Sequence, residues 1–267
     1  MTNVITYIGN TDILSSLAEA ERKAGAAILT VYGSSAVQVD RKADASPVTE
    51  ADRIAHEILA DHLARTSDFP VLSEEGRDIP YEERRHWETF WLLDPLDGTK
   101  EFISRNGEFT VNVALIHRGQ PVMGAIYAPV KNLLYTAIKG GGAYRTAQGA
   151  AVRLPVDQQR KGFMVVGSRS HASPAFEAYV LKLKARHDDL VLITAGSSLK
   201  FCLVAEGAAD VYPRLGTTME WDTAAGQLIV EEAGGRVAEA ASGRPLRYNK
   251  ADLRNHHFIV TGREWYD

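Results

Sequence analysis

The stretch Trp91-Leu-Leu-Asp-Pro-Leu-Asp-Gly-Thr-Lys-Glu-Phe102 places two carboxylates three residues apart, directly after an apolar run. A turn needs one aspartate or glycine for its geometry, and a second acid repels the first. A bound divalent cation explains this crowding of Asp94 and Asp97, because Mg²⁺ prefers carboxylate oxygens and few protein ligands. Pro95 fixes the turn, while Gly98 lets the backbone come close to an anionic ligand. We therefore interpret the two aspartates as metal ligands rather than as a solvated acidic turn.

Three further acids have both a functional and a structural interpretation. Glu74 follows a short apolar strand, so it is expected at the same sheet edge, although glutamates in a loop are usually solvated. Asp222 precedes a helical segment, where it either caps the helix or binds a metal, and a carboxylate can do both. Asp52 has the spacing of a capping box with Thr49, and near a metal site it would instead orient water as a general base.

Two clusters of hydroxyl and basic residues lie in the second half of the chain. Gly167-Ser-Arg-Ser-His171 ends a predicted strand, and Gly196-Ser-Ser-Leu-Lys200 joins a strand to a helix. Glycine and serine at a helix start favour phosphate, because free backbone N–H groups point outward there. Arg214 ends another strand and is either a surface arginine or a further cation for the ligand. Cations opposite the acids are the arrangement of a metal-dependent phosphatase.

The bulk properties exclude several classes of protein. The chain has 267 residues and a net charge of -4, so a nucleic-acid polymer is not expected as a partner. Cys202 is the single cysteine, which excludes an internal disulfide and favours the cytoplasm; we expect it to be a small buried hydrophobe. The first residues lack the pattern of a signal peptide, and no window reaches the ~18 apolar residues of a membrane span.

Helical and strand patterns alternate along the chain. A first helix is predicted with Thr11 or Asp12 as its cap and Gly33 as its end, and a second from Thr49. The polar region 150–162 is the candidate boundary, dividing the chain into an N-terminal α+β half (1–155) and a C-terminal α/β half (156–267). Helices layered between sheets, a mixed α/β or α+β sandwich, are therefore expected.

The sequence "WLLDPLDGTKEFI", with "VLSEE" upstream and "WDTAAG" downstream, resembles the inositol monophosphatase superfamily of lithium-sensitive, Mg²⁺-dependent phosphatases. The shorter sequences "KADASPVTEAD", "NGEFTVN", "YAPV", "SRSH" and "GSSLKFCLVAEGAADVYPR" resemble its CysQ-type branch of 3'(2'),5'-bisphosphate nucleotidases. The resemblance implies a five-layered αβαβα sandwich, of the type shared with fructose-1,6-bisphosphatase. It also implies hydrolysis of adenosine 3',5'-bisphosphate to AMP and phosphate, in sulfate assimilation or nucleotide recycling.

The resemblance also assigns roles to individual residues. The implied metal ligands are Glu74, Asp94, the backbone carbonyl of Leu96, Asp97 and Asp222. The implied catalytic residues are Asp52, Thr99 and Glu74. The implied substrate contacts are Leu96, Asp97, Gly98, Thr99, His171, Ser197, Lys200, Arg214 and Asp222. Two or three Mg²⁺ ions would bind there, a water activated by the metal would attack the 3'-phosphate, and Lys200 and Arg214 would screen the second phosphate.

Other interpretations stay open at this point. Inositol monophosphate or fructose bisphosphate is an alternative substrate, and a non-catalytic role with a protein or RNA partner is a different class of function. Intact acids at every implied metal position argue against a non-catalytic role, and the negative net charge argues against RNA. The expected location is the cytoplasm, with peripheral association with the cytoplasmic side of the inner membrane as an alternative. The sequence predicts no oligomeric state.

Overall fold

The computed structural model of the protein describes residues 10–34, 39–41, 47–156, 161–169 and 173–263. Its helices, in chain order, are α1 (Thr11–Tyr32), α2 (Glu50–Thr66), α3 (Tyr81–Arg84), α4 (Thr99–Ile103), α5 (Pro174–Lys184), α6 (Leu199–Ala205) and α7 (Ala224–Glu232). Its strands are β1 (Val39–Arg41), β2 (Pro47–Thr49), β3 (Val71–Ser73), β4 (Thr89–Asp97), β5 (Thr110–His117), β6 (Gln120–Ala128), β7 (Leu133–Ile138), β8 (Gly142–Ala147), β9 (Ala150–Arg153), β10 (Met164–Ser168), β11 (Val191–Ala195), β12 (Val211–Arg214), β13 (Arg236–Glu239) and β14 (Phe258–Thr261).

The two long helices begin at side chains that satisfy free backbone N–H groups. In α1 the cap is Asn10, whose side-chain oxygen accepts hydrogen bonds from the backbone N–H groups of the second and third residues after it. The predicted cap at Thr11 or Asp12 was therefore wrong, because Asn10 already reaches these N–H groups. In α2 the predicted start is confirmed, since Thr49 is the N-cap.

A seven-stranded sheet has the order β3-β4-β5-β6-β7-β8-β9. Only β3 and β4 run parallel, so their carboxyl ends meet at one edge of the sheet. The pairing of β4 with β5 changes register, because Asp94 lies opposite Asn112 whereas Asp97 lies opposite Thr110. An advance of three residues along β4 is thus matched by two residues along β5. This is a β-bulge, which changes the direction of the side chains at the end of β4. The two aspartates of the Trp91–Phe102 stretch lie at this bulge.

A five-stranded sheet has the order β11-β10-β12-β14-β13, with the first three strands parallel and the last two pairs antiparallel. Strands β1, β2, β8, β9 and β13 were not predicted from the sequence. Strand β9 is exposed along its whole length at the edge of the larger sheet, so it lacks apolar alternation and resembled a polar connection.

The helices and sheets form five layers, and three apolar cores lie between these layers. The first core joins α1 and α2 to one face of the seven-stranded sheet and includes Leu17, Leu59 and Val113. The central core contains α6 and α7 between the two sheets, with Phe201 and Leu228 fully enclosed. The third core is smaller and packs α5 on the outer face of the five-stranded sheet. This order of layers is αβαβα, and the predicted fold class is confirmed.

The larger sheet ends at Arg153, and the smaller sheet begins at Met164. The division of the chain at residues 155 and 156 into two halves stays a prediction. Cys202 is buried in the central core, as expected, and burial raises the pKa of its thiol. Among the described residues, no helix combines the length and hydropathy that a membrane crossing needs.

Candidate active site

The parallel strands β3 and β4 bring two of the predicted acids side by side. Glu74 directly follows β3, and its backbone N–H donates a hydrogen bond of 3.1 Å to the carbonyl of Leu93 in β4. Asp94 is the next residue of β4 and is 1% exposed. The strand pairing therefore fixes the relative position of the two carboxylates, as the sequence predicted from their placement at strand ends.

Asp222 joins this pair from the connection between β12 and α7. Carboxylate oxygens of Glu74, Asp94 and Asp222 all lie within 4.8 Å of one another. Asp222 does not cap the helix, because α7 begins at Ala224 with Thr223 as its N-cap. Its Oδ2 instead accepts a hydrogen bond of 2.8 Å from the backbone N–H of Met219, which restrains the carboxylate beside the other two acids. The N-cap alternative for this residue was therefore wrong.

The electrostatics of these three acids fit a divalent cation. Burial raises the pKa of Asp94 well above its ordinary value, and the charges of Glu74, Asp97 and Asp222 add to this effect. Burial and the charges of Asp97 and Glu74 likewise raise the pKa of Asp222. Asp94 Oδ2 is buried and has no hydrogen-bond partner among the described residues. A hard cation would satisfy this oxygen and cancel the repulsion, so the donor set fits Mg²⁺.

Asp97 and Leu96 lie beside the three acids and not within that tight group. Asp97 Oδ2 is 3.4 Å from the amide nitrogen of Asn112. Burial raises the pKa of Asp97 to about 6, against the lowering effect of the Lys200 charge. The backbone N–H of Leu96 donates a hydrogen bond of 3.1 Å to Asp94 Oδ1, which holds that carboxylate in place. Metal ligation by Asp97 and by the Leu96 carbonyl stays a prediction.

Asp52 both supports the start of α2 and contacts Thr99. Its Oδ2 accepts hydrogen bonds from the backbone N–H of Thr49 at 2.7 Å and from the Thr49 hydroxyl at 2.6 Å. Its Oδ1 accepts one of 3.2 Å from the hydroxyl of Thr99, which lies 47 residues further along the chain. The capping and functional interpretations of Asp52 are therefore compatible. Burial raises the pKa of Asp52, while the hydrogen bonds from Thr49 lower it.

Gly98 lies at the one position of the motif that requires glycine. Its φ is 95°, a conformation that side chains rarely adopt, and it is the N-cap of the short helix α4. A Cβ there would also lie 3.2 Å from the Cβ of Ser197. The glycine thus lets residues 97–99 pass close to the wall that carries Ser197.

A cleft of about 250 Å³ opens beside these acids. Its walls include Glu74, Asp97, Gly98, Thr99, Ser197, Lys200, Arg214 and Asp222, which are eight of the predicted site residues. The predicted contact His171 lies outside the described residues.

Two cations occupy different depths in this cleft. Lys200 is 4% exposed, and its ammonium donates hydrogen bonds to the carbonyls of Ser197 at 2.6 Å and Ala195 at 3.3 Å. Burial lowers the pKa of Lys200 to about 8, although Asp97 acts in the opposite direction. Arg214 is half-buried; its Nη2 donates a hydrogen bond of 2.7 Å to the Thr217 carbonyl. Its Nε is buried and has no partner among the described residues.

A buried polar network next to the acids was missed in the sequence. The Ser198 hydroxyl donates a hydrogen bond of 2.7 Å to Asn112 Oδ1 and lies 2.7 Å from the Thr110 hydroxyl. This network links the wall of the cleft to Asp97 through the Asn112 side chain. Thr110 and Asn112 are alternate residues at the start of an otherwise apolar strand, so they point to one face. That interruption of the apolar pattern was the available signal.

The chain is similar to known proteins over most of its length. A family model described as the inositol monophosphatase family matches residues 10–266. The 3'(2'),5'-bisphosphate nucleotidase CysQ of Escherichia coli K12 is 48% identical over 239 residues, which cover 88% of this chain and 94% of that protein. The protein of the same name from Salmonella typhimurium is 46% identical over 253 residues, covering 93% and 99%.

A solved structure is similar over nearly the whole length. The crystal structure of CysQ from Bacteroides thetaiotaomicron, a bacterial member of the inositol monophosphatase family, superposes with a TM-score of 0.85 at 49% sequence identity. The match covers 94% of this chain and 97% of that one.

Proposed function

The chain belongs to the inositol monophosphatase family, and we propose that it is a 3'(2'),5'-bisphosphate nucleotidase that converts adenosine 3',5'-bisphosphate to AMP and phosphate. One observation carries the proposal. The carboxylates of Glu74, Asp94 and Asp222 converge within 4.8 Å, and the cleft lined by Glu74 and Asp222 is also lined by the cations Lys200 and Arg214. Nucleotidases of this name, 46–48% identical to the chain, support the choice of substrate class.

The acids are the residues that would hold metal. Glu74, Asp94, Asp97, Asp222 and the Leu96 carbonyl are the proposed ligands of two or three Mg²⁺ ions. When bound, Mg²⁺ supplies Lewis acidity, which lowers the pKa of a coordinated water and stabilises charge on phosphate oxygens. The protein contributes a fixed set of oxygens, because the pairing of β3 with β4 and the Met219 N–H to Asp222 bond restrain three of the carboxylates.

Asp52 and Thr99 are the proposed pair that orients the attacking water. The Thr99 hydroxyl donates a hydrogen bond to Asp52 Oδ1, so the threonine oxygen is free to accept a hydrogen bond from water. Thr99 would thereby hold the water in a fixed orientation and link it to the Asp52 carboxylate. Burial raises the pKa of Asp52, which makes the carboxylate a better proton acceptor than an exposed aspartate. Glu74 lies close enough for its charge to raise the same pKa. We assign proton removal to Asp52 acting through Thr99.

The remaining cleft residues would bind the substrate. Gly98 and Thr99 are the proposed donors to the scissile phosphate, because the positive φ of Gly98 brings the backbone close to the acids. Ser197, Lys200, Arg214 and His171 are the proposed contacts of the nucleoside and its second phosphate. Lys200 is buried against two carbonyls, so its remaining ammonium proton is the one available to that phosphate.

The proposed setting is the cytoplasm, where removal of adenosine 3',5'-bisphosphate serves sulfate assimilation and nucleotide recycling. The test is phosphate release from a panel of substrates with Mg²⁺, with and without Li⁺. The panel contains adenosine 3',5'-bisphosphate, adenosine 2',5'-bisphosphate, the 3'-phosphorylated sulfated nucleotide and inositol 1-phosphate. We expect the highest kcat/KM for a nucleotide bisphosphate and inhibition by Li⁺. A higher kcat/KM for inositol 1-phosphate would favour the alternative phosphatase and contradict the proposal.

A further inference from the structure

The turn formed by Gly196 and Ser197 is a wall of the cleft that needs support. It joins β11 to α6, and Ser197 lines the cleft. The φ of Ser197 is 44°, in the left-handed region that a residue with a side chain occupies only when its surroundings hold it there. The contacts that hold this turn therefore decide where the Ser197 hydroxyl and the neighbouring backbone lie.

Support for the turn comes from the other sheet. Glu108, just before β5, accepts a hydrogen bond of 2.9 Å at its Oε2 from the backbone N–H of Gly196. A Cβ on Gly196 would lie 2.5 Å from the Glu108 carbonyl oxygen, so the two backbones pack at the closest distance that glycine allows. The Thr110 hydroxyl donates a further hydrogen bond of 3.2 Å to the Ser197 hydroxyl.

The same glutamate binds a third segment. Arg169 directly follows β10 and forms a two-point ion pair with Glu108, with Nε to Oε2 at 2.8 Å and Nη2 to Oε1 at 3.0 Å. Such paired hydrogen bonds fix direction as well as distance. The Glu108 side chain is 15% exposed and that of Arg169 is 45% exposed, so the carboxylate is the more enclosed partner. Bonds from Arg169 and Gly196 outweigh burial and lower the pKa of Glu108.

The position of this pair separates it from the acids that would hold metal. Ser168 and Ser197 line the cleft, whereas Glu108 and Arg169 are not among the described residues that do so. The pair bonds to the turn at Gly196 and lies at the end of β10, and among the described residues it forms no hydrogen bond or ion pair with Asp52 or the three clustered carboxylates. The turn itself lies against Gly98, where a Cβ would be 3.2 Å from the Ser197 Cβ. The pair therefore acts on the ligand through the turn and not by contact with the three clustered acids.

We propose that Glu108 and Arg169 are a specificity-determining positioning pair, which holds the Gly196–Ser197 turn in place for the nucleoside and its second phosphate. This inference rests on the proposed function and deepens it. Glu108→Gln keeps the size of the side chain but removes the charge, so Arg169 loses its two-point partner and the Gly196 N–H faces a weaker acceptor.

The experiment measures binding of two ligands by calorimetry in the presence of Mg²⁺. AMP tests the nucleoside and its phosphate, and inorganic phosphate tests the metal end alone. We expect Glu108→Gln to weaken AMP binding about tenfold, the effect of one lost hydrogen bond to a charged group, and to change phosphate binding less than twofold. Arg169→Gln, at a more exposed position, should change AMP binding in the same direction. The double variant should equal the weaker-binding single variant, because one pair is removed.

Glu88→Gln is the matched control. It breaks the exposed ion pair of Glu88 with Arg118, whose Nε and Oε1 atoms are 2.6 Å apart at the opposite end of β4 and β5, and AMP binding should not change. Gly196→Ala supplies a second variant with both charges intact, and the Cβ clash with Glu108 should weaken AMP binding while phosphate binding is retained.

The outcomes separate this inference from the proposed function. Unchanged AMP binding in Glu108→Gln and Arg169→Gln, or equal weakening of AMP and phosphate, would overturn the positioning role, even if the wild type hydrolyses adenosine 3',5'-bisphosphate. A wild type that binds AMP but releases no phosphate from any nucleotide would overturn the proposed function, while the AMP measurements would still decide the role of the pair.

Discussion

The Thr99 hydroxyl donates a hydrogen bond of 3.2 Å to Asp52 Oδ1, joining the motif at the end of β4 to the first turn of α2. The other oxygen of the same carboxylate is held by Thr49. One oxygen of Asp52 is therefore held by Thr49 at the start of the same helix, and the other oxygen binds Thr99, which lines the cleft. Its raised pKa and its position 2% exposed behind Thr99 are the properties expected of a buried general base.

Removal of this base should reduce turnover far more than it reduces stability. We expect Asp52→Asn and Thr99→Ala each to lower kcat by about 10²–10⁴-fold, the usual contribution of a positioned base. Asp52→Asn should also cost about 1 kcal/mol of unfolding free energy through its weaker cap. Asn10→Ala removes the cap of α1 far from the cleft and is the control: similar loss of stability, unchanged kcat. A kcat for Asp52→Asn within threefold of the wild type would show that Asp52 serves only as a cap.

The clustered acids should oppose folding when no metal is present. Asp94 is buried among carboxylates that raise its pKa, so Asp94→Asn should increase the melting temperature in a chelator at pH 7. Mg²⁺ should stabilise the wild type by about 2.7 kcal/mol at a concentration of 100 Kd, and stabilise the variant less at the same concentration. Thermal unfolding with chelator and with Mg²⁺ measures both effects.

Asp252 provides the control of opposite sign. Hydrogen bonds from Arg254 lower its pKa to about 2, so its charge is favourable in the folded protein. Asp252→Asn should therefore not raise the melting temperature in chelator. Equal stabilisation by both variants would mean that net charge, rather than crowding of the three acids, limits the stability of the metal-free protein.

The metal-free protein should lose stability as the pH rises towards 6. Burial raises the pKa of Asp97 from 3.8 to about 6, although Lys200 opposes this, so the folded state holds a proton that the unfolded chain releases near pH 4. The unfolding free energy should fall between pH 4.5 and pH 6.5 in chelator, and the fall should be smaller in Asp97→Asn. Urea unfolding across this range gives the comparison.

Mg²⁺ should reverse that pH dependence. The ligands must be deprotonated to bind the ion, so stabilisation by a fixed Mg²⁺ concentration should increase from pH 4.5 to pH 6.5. A metal-free wild type whose unfolding free energy rises across this range relative to Asp97→Asn would contradict the burial of a proton-binding aspartate at this position.

Lys200 should contribute to substrate affinity rather than to the chemical step. Its ammonium donates a hydrogen bond to the Ser197 carbonyl and lies over the Tyr212 ring, with the ring centroid 5.4 Å from Nζ. Lys200→Met should raise KM for adenosine 3',5'-bisphosphate about 10–100-fold, the cost of losing a hydrogen bond to a charged group, with a smaller change in kcat. KM for adenosine 3'-monophosphate, which lacks the second phosphate, should rise less. An equal rise in KM for both substrates would mean that Lys200 only supports the Gly196–Ser197 turn and does not contact the second phosphate.

The sequence predicted the parts of the site that lie in continuous motifs. The acids of "WLLDPLDGTKEF", Glu74 after β3, and the capping spacing of Thr49 and Asp52 each follow from local chemistry, and the structure brings them together. The interpretation of Asp222 as an N-cap was wrong, because its carboxylate accepts a hydrogen bond from the backbone N–H of Met219, which precedes it in the chain. The spacing of residues in the sequence does not reveal this contact.

Contacts between the two sheets could not be predicted in this way. The Glu108–Arg169 pair and the Ser198–Asn112 bond join residues 61 and 86 positions apart, so they depend on how β5 meets the β11–α6 turn. The exposed strand β9 was missed because an edge strand without a buried face has no apolar alternation.

The most direct test of the account is phosphate release from adenosine 3',5'-bisphosphate by the wild type and by Asp94→Asn, each with Mg²⁺ and with chelator. We predict turnover by the wild type only with Mg²⁺, and at least a ~10³-fold lower rate for Asp94→Asn, since the variant loses the carboxylate at the centre of the acidic group. A circular-dichroism spectrum that matches the wild type would confirm that the variant is folded. Wild-type turnover that persists in chelator, or an Asp94→Asn rate close to that of the wild type, would contradict the assignment of this cleft as a metal-dependent nucleotidase site.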